Sequence, residues 1–249
     1  MNIKISGLEN IKEGKFTLRN IINQTDEICL AAVKQNWKTL RFVKNQTDEI
    51  CLAAVNKQGR SLYLVNNQTP EICLAAVEQD GYALAYVKNQ TPEICLAAVE
   101  QDGDALRFVK NQTDELCLAA VKQNGHSLES VKNQTDEICL AAVKQNGGML
   151  YWVKNQTDEI CLTALKYNDI RYIKDIRLLT PTLCIKLFIF HGRLLLPHIS
   201  SNILDDNEFK SFIHTPLSLE IQSLKAIDKK RLNDYMHNIV KRIDTYFTY

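Results

Sequence analysis

The sequence predicts an all-α protein, a right-handed α-solenoid of short αα-hairpins with a helical cap at its C-terminal end. Three observations predict it. The chain repeats with a period of 22 residues, every copy carries a helix start and a helix stop, and a second short apolar pattern follows each stop. A repeat of this length marks a stacked array, because one such unit cannot bury its apolar face alone.

The period is set by Cys29, Cys51, Cys73, Cys95, Cys117, Cys139 and Cys161, and by asparagines at 23, 45, 67, 89, 111, 133 and 155. Each unit opens with a threonine before Asp-Glu or Pro-Glu: Thr25, Thr47, Thr69, Thr91, Thr113, Thr135 and Thr157. A threonine at that place can cap free amides of the first turn, and the acids suit the positive end of the helix dipole. Pro70 and Pro92 fit the first helical position. The stop is Gly59, Gly81, Gly103, Gly125 or Gly147, read as the residue that takes a left-handed conformation after a helix end. The first helix of the first copy therefore covers about residues 26 to 36, with Ile28, Cys29, Ala32 and Val33 on one broad apolar face.

After the glycine, Leu84 and Val87, or Leu106 and Val109, stand three apart on one side of a short second helix, beside the small residue Ala83 or Ala105. Asn-Gln then turns the chain into the next unit, and its recurring amide can bond a neighbour along the stack. A leucine-rich repeat has a similar period, but its strand needs a further leucine where Asn89 or Asn111 stands.

The ends are atypical, as a stack requires. Residues 1–22 read as an N-terminal half repeat, with Leu18 and Ile21 in the second-helix positions, and 23–174 as seven tandem units. The seventh is read as losing two residues around Tyr167 and Asn168, keeping Ile170 and Ile173 as its Leu and Val. Residues 175–199 form a degenerate eighth unit that starts at Thr180, and 200–249 a helical cap.

A net charge of +1 without a polybasic arm nominates neither nucleic acid nor a membrane surface. No apolar run is long enough to cross a bilayer. The start "MNIKISGLENIKEGK" has no signal-peptide pattern, so an intracellular location is expected. Seven cysteines at one equivalent place on successive helices read as small buried hydrophobes rather than metal ligands or disulfides, since packed helices stand about 8–10 Å apart. The Asn-Gln-Thr sequons read as turn and cap. Cys184, His191 and His198, at seven-residue intervals, are the one metal or Cys/His catalytic candidate, and repeat decay explains them more simply. No phosphate loop, nucleophile elbow or zinc-protease motif occurs, so neither an enzyme nor a cofactor is expected.

What varies between copies is more informative. The position after the glycine reads Lys38, Arg60, Tyr82, Asp104, His126, Gly148. Three residues on come Arg41, Tyr63, Ala85, Arg107, Glu129, Tyr151, and then Phe42, Leu64, Tyr86, Phe108, Ser130, Trp152. The first two sets point away from the Leu/Val face and the third borders it. Variation on a fixed frame is how repeat proteins build binding surfaces, although exposed positions also drift without function.

The tandem string "EICLAAVKQNG" followed by a short leucine-bearing helix resembles helical repeats of unknown function abundant in giant DNA viruses of amoebae. The likeness implies a repeat type and no catalytic residues. The expected function is a non-catalytic scaffold for an unknown protein partner, a host factor where the protein is viral. The alternative is a single-stranded nucleic-acid binder of the kind that reads one base per unit. Net charges of −2 on the third and fourth copies weigh against nucleic acid.

Overall fold

The computed structural model describes residues 18–167, 170–180, 183, 184 and 187. The readings given above for 1–17, for 200–249 and for most of 175–199, His191 and His198 included, lie outside the described residues. Two compact units make up the chain, Met1–Gln145 with Trp152–Lys154, and Asn146–Tyr151 with Asn155–Tyr249.

The fold is an all-helical repeat solenoid with no strand among the described residues. Across residues 18–175, seven α-helices, α1 (Asp26–Gln35), α2 (Asp48–Lys57), α3 (Pro70–Gln79), α4 (Pro92–Gln101), α5 (Asp114–Gln123), α6 (Asp136–Gln145) and α7 (Asp158–Tyr167), alternate with 3-10 helices. The latter are η1 (Leu18–Asn20), η2 (Trp37–Phe42), η3 (Gly59–Leu64), η4 (Gly81–Tyr86), η5 (Gly103–Phe108), η6 (Gly125–Ser130), η7 (Gly147–Trp152) and η8 (Ile170–Asp175). In the first unit α1 to α6 pack in sequence, each on the next, and η2 to η6 do the same in a parallel layer.

The helix starts follow the sequence. Thr25 is extended (φ −99°, ψ 157°) and its hydroxyl accepts from the Ile28 amide at 3.4 Å. Thr69, Thr91, Thr113, Thr135 and Thr157 bond the amide three residues on in the same way. Thr47 holds the conformation without that bond. Pro70 and Pro92 open their helices.

The stop differs in mechanism. Asp80, the residue after α3, is extended (φ −153°, ψ 108°), and Gly81 opens η4 instead of turning left-handed. Gly59, Gly81, Gly103 and Gly125 all have φ outside the left-handed region. They are glycine because the next unit leaves no room: a Cβ on Gly81 would stand 2.6 Å from the Ala98 carbonyl oxygen and 2.9 Å from Gln101 Oε1. Gly147 likewise opens its 3-10 helix and is buried.

The second helix of each full unit is 3-10 and six residues long. It must run beside a ten-residue α-helix of about 15 Å, and six residues span about 12 Å at the 3-10 rise against about 9 Å at the α rise. Asn36, Asp80, Asp102 and Asn124 cap it by accepting from the amide two residues on. Three residues per turn bring the positions after the glycine and three later onto one edge, Lys38 beside Arg41 and Asp104 beside Arg107.

The core repeats as read. Ile72, Cys73, Ala76 and Val77 are buried in α3, as are Leu84 and Val87, and the equivalents recur from α1 to α6. Each fully buried Leu or Ile contributes about 1.5–3 kcal/mol of burial.

Side-chain ladders join the units. Gln112 Nε2 donates to the Leu106 carbonyl of η5 (3.3 Å) and to the Ser130 carbonyl of η6 (3.0 Å), while its Oε1 accepts from the Lys132 amide (3.0 Å). Gln24, Gln46, Gln68, Gln90 and Gln134 repeat the bonds to the following 3-10 helix. The amide thus stands in for a peptide group between two backbones that lack a partner of their own. A second ladder runs along the helix ends. The Gly81, Gly103 and Gly125 amides donate to Gln101, Gln123 and Gln145 of the following unit at 2.6, 2.7 and 2.7 Å, and Gly59 does the same to Gln79. Lys88, Lys110 and Lys132 ammonium groups reach back 22 residues to the carbonyls of Asn66, Lys88 and Lys110.

In the second unit the seventh repeat has a different register from the one expected. Gln156 bonds the Asp175 carbonyl (2.8 Å) and accepts from the Arg177 amide (2.8 Å), one residue later than its counterparts. Ile173 is buried and accepts from the Ile176 amide, as Leu128 does from Val131. Ile173 and Ile176, rather than Ile170 and Ile173, therefore fill the Leu and Val positions. This repeat gains one residue between α7 and η8 and does not lose two.

Candidate functional site

The residues that vary between copies lie on η2 to η7, on a scaffold whose fixed residues are occupied with one another. Lys38, Arg41, Arg60, Tyr63, Tyr86, Arg107, His126, Glu129, Tyr151 and Trp152 are exposed, and Tyr82 and Asp104 partly so. Among the rings, Tyr63 is 48% exposed and Tyr86 42%.

Twelve positions picked from sequence resolve into two clusters and a remainder. In the first, Trp37, Tyr63 and Tyr86 of three successive units form a row, with ring centroids 6.4 and 5.7 Å apart. Lys38 Nζ lies 5.6 Å from the Trp37 ring centroid, Arg19 stands 6.0 Å from that of Phe42, and Arg41 Nε donates to the Lys38 carbonyl at 3.2 Å.

The second cluster is closed on itself. Arg60 meets Asp80 at 2.7 Å, which holds its guanidinium above the usual range, and lies 4.8 Å over the Tyr82 ring. Arg107 lies over the same ring at 5.3 Å, donates to the Tyr82 hydroxyl at 3.2 Å and pairs with Asp104 at 3.4 Å. Asn124 completes it by donating to Asp104 at 3.2 Å. Arginine over an aromatic face is favourable by about 0.5–1 kcal/mol at exposed sites. His126 and Glu129 take no part in either cluster. Tyr151 and Trp152 fall in different compact units.

Sequence reasoning missed Trp37, Asp80 and Asn124. Trp37 carried a signal, since it stands where later copies have glycine. Its partner position changes with it: Lys57 replaces the glutamine that bonds the glycine amide elsewhere, and its ammonium turns back to the Lys34 and Gln35 carbonyls at 2.7 and 3.2 Å. Asp80 and Asn124 sit in the Asn/Asp position before the glycine, a place favoured by side chains that bond their own backbone two residues on.

The cysteines do not assemble. Cys29 to Cys161 are buried, free thiols, each 3.7 to 3.9 Å from the ladder glutamine oxygen in the units from Cys29 to Cys139. Burial, then the neighbouring Asp48, Asp136 or Asp158, pushes Cys51, Cys139 and Cys161 up to about 11. Burial takes Cys184 to about 12. Such thiols hold their protons and are poor nucleophiles at neutral pH. Among the described residues, no three His, Cys, Asp or Glu side chains gather as a metal site would require, and no helix is long and apolar enough to cross a membrane. A cavity of about 270 Å³ is lined by Lys110, Asn111, Gln112, Lys132 and Asn133, all frame positions. Thr180 accepts from the Leu183 amide at 3.1 Å, the same bond that the capping threonines make to the amide three residues on.

The family described as a domain of unknown function (DUF4116) matches residues 69–113 and again 91–135. Each window runs from one capping threonine to another two units on, and the windows are offset by one unit. These units are similar to a tandem-repeat family of unknown function. No curated protein and no solved structure matches the chain.

Proposed function

We propose that this protein is a non-catalytic helical-repeat scaffold, working inside a cell, that holds a protein partner against the exposed edges of its 3-10 helices. One observation carries the reading: the fixed residues of each unit are consumed in core, caps and ladders, while the varying ones meet across units in an exposed aromatic and cationic surface. Aromatic residues and arginine are the side chains most enriched at the energetic centres of protein interfaces. The resemblance of the repeats to those of giant viruses makes a host protein the partner to seek.

Rings interleaved with arginines also support a second reading, stacking of single-stranded bases. The charge of the units speaks against it, since the third and fourth are each −2 where a backbone-binding track is basic.

The test is affinity capture with the tagged full chain and with its Tyr63→Ala/Tyr86→Ala variant, before and after nuclease. A protein that survives nuclease and is lost with the variant is the expected result. Equal capture by the variant overturns the reading, and recovery of nucleic acid alone replaces it with the second.

A further inference from the structure

The candidate surface is not uniform along the array. The arginines of η3 and η5 are paired with carboxylates, and the cations of η1 and η2 are not. η1, η2 and η3 carry Arg19, Lys38, Arg41 and Arg60 and no acid. Arg60 is taken by Asp80, and Arg107 by Asp104 and the Tyr82 ring. Among the described residues Arg19, Lys38 and Arg41 have no carboxylate partner; their contacts are aromatic faces and one carbonyl. The units follow the same gradient. The first, 23–44, has four cations and two acids; the second is neutral, and the third and fourth are each −2.

We infer that the η1 to η3 end of this surface binds an acidic, extended segment of a partner protein, with apolar or aromatic residues between its carboxylates. The inference rests on the scaffold reading and names the chemistry of its partner. Each half of that chemistry has a receiver. The row Trp37 and Tyr63, continued by Tyr86 at the end of η4, gives a ring surface about as long as three or four extended residues. Lys38 and Arg41, eclipsed on one edge of η2, supply two cations side by side, with Arg19 one unit before.

The gradient also fixes register. An acidic segment that slides toward the third and fourth units leaves the cations for units that are each −2, so like charge penalises the displaced pose. A short basic zone with an acidic continuation suits a short acidic peptide. A nucleic-acid strand, with a charge at every nucleotide, would run out of cations within two units.

The experiment uses the full chain and a labelled short peptide of alternating Glu and Phe. Its Gln/Phe counterpart and a single-stranded oligothymidine serve as comparators, all read by fluorescence anisotropy at low and physiological salt. The acidic peptide should bind at least about tenfold more tightly than the neutral one and weaken with salt. Lys38→Glu/Arg41→Glu should abolish that preference, whereas Glu115→Lys at the start of α5, a frame position, should leave it unchanged. Equal binding of the two peptides, a preference that survives the double charge reversal, or tighter binding of the oligonucleotide would overturn the inference. Its failure is separable from failure of the scaffold reading. A captured protein that depends on Tyr63 and Tyr86 but not on Lys38 and Arg41 keeps the scaffold and removes the acidic partner.

Discussion

Gly81 separates two explanations for the glycine of each unit. If it were a left-handed helix terminator, alanine would cost about 1 kcal/mol and asparagine less, because asparagine visits that conformation readily. The structure gives a different cause. An added Cβ would lie 2.6 Å from the Ala98 carbonyl oxygen, 2.9 Å from Gln101 Oε1 and 3.1 Å from Asp102 Cβ. The first of these is backbone and cannot rotate away. Crowding of this kind costs about 1–3 kcal/mol, and displacing Gln101 forfeits its 2.6 Å bond from the Gly81 amide, about 1 kcal/mol more. Gly81→Ala should therefore cost about 2–4 kcal/mol, and Gly81→Asn at least as much. Repeat arrays open in parts, so a single unfolding midpoint is the wrong assay. Amide hydrogen exchange across η4 and α4 in the full chain reads the local loss. An asparagine variant more protected than the alanine variant, or an alanine cost below about 0.5 kcal/mol, would refute the close-approach account.

Three further outcomes follow from the same geometry. Trp37 and Lys57 are a matched exchange for the glycine and glutamine of later units, so Trp37→Gly and Lys57→Gln together should be more stable than the two single changes sum to, measured by a double-mutant cycle; strict additivity would contradict the pairing. Ser61 and Ser127 bury hydroxyls with no hydrogen-bond partner where the third and fourth units have Ala83 and Ala105. Changing either to alanine should raise local stability by about 1 kcal/mol, read by amide hydrogen exchange across η3 or η6, and a loss of protection would show that a partner exists. Cys51, Cys139 and Cys161 hold their protons up to about 11 against an ordinary 9.0. The folded state binds protons that the unfolded state has released, so this stability is full below pH 9 and is lost between about 9 and 11. Circular dichroism should show alkaline unfolding there that is weaker in Cys51→Ala/Cys139→Ala; an unchanged profile would contradict it.

Much of this fold was legible because its determinants are local and recur. Capping threonines, Pro70 and Pro92, and the Ile-Cys-x-x-Ala-Val face each state their role in one unit. The glycine's place was legible but not its reason, since a left-handed turn and a close approach both ask for a missing Cβ. The Leu-x-x-Val spacing likewise places residues on one side of an α-helix or a 3-10 helix, and only the distance to be spanned decides. Ile170, Ile173 and Ile176 offer two equal ways to set the seventh register, resolved by where Gln156 finds its backbone partners. The surface was legible as a set of positions. Which of them touch was not, because Tyr63 meets Tyr86 and Arg60 meets Tyr82 across units, over a separation that the repeat itself creates.

The most direct test of the central claim, that the varying edges of the 3-10 helices are the binding surface and the rest is frame, is site-specific photo-crosslinking. A photoreactive amino acid would replace Tyr63 or Tyr86 in one pair of full-length chains and Glu49 or Glu115 at helix starts in another, each irradiated with the captured partner. The account predicts partner adducts from positions 63 and 86 and none from 49 and 115. Adducts from the helix starts alone would place the binding surface on the frame and contradict it.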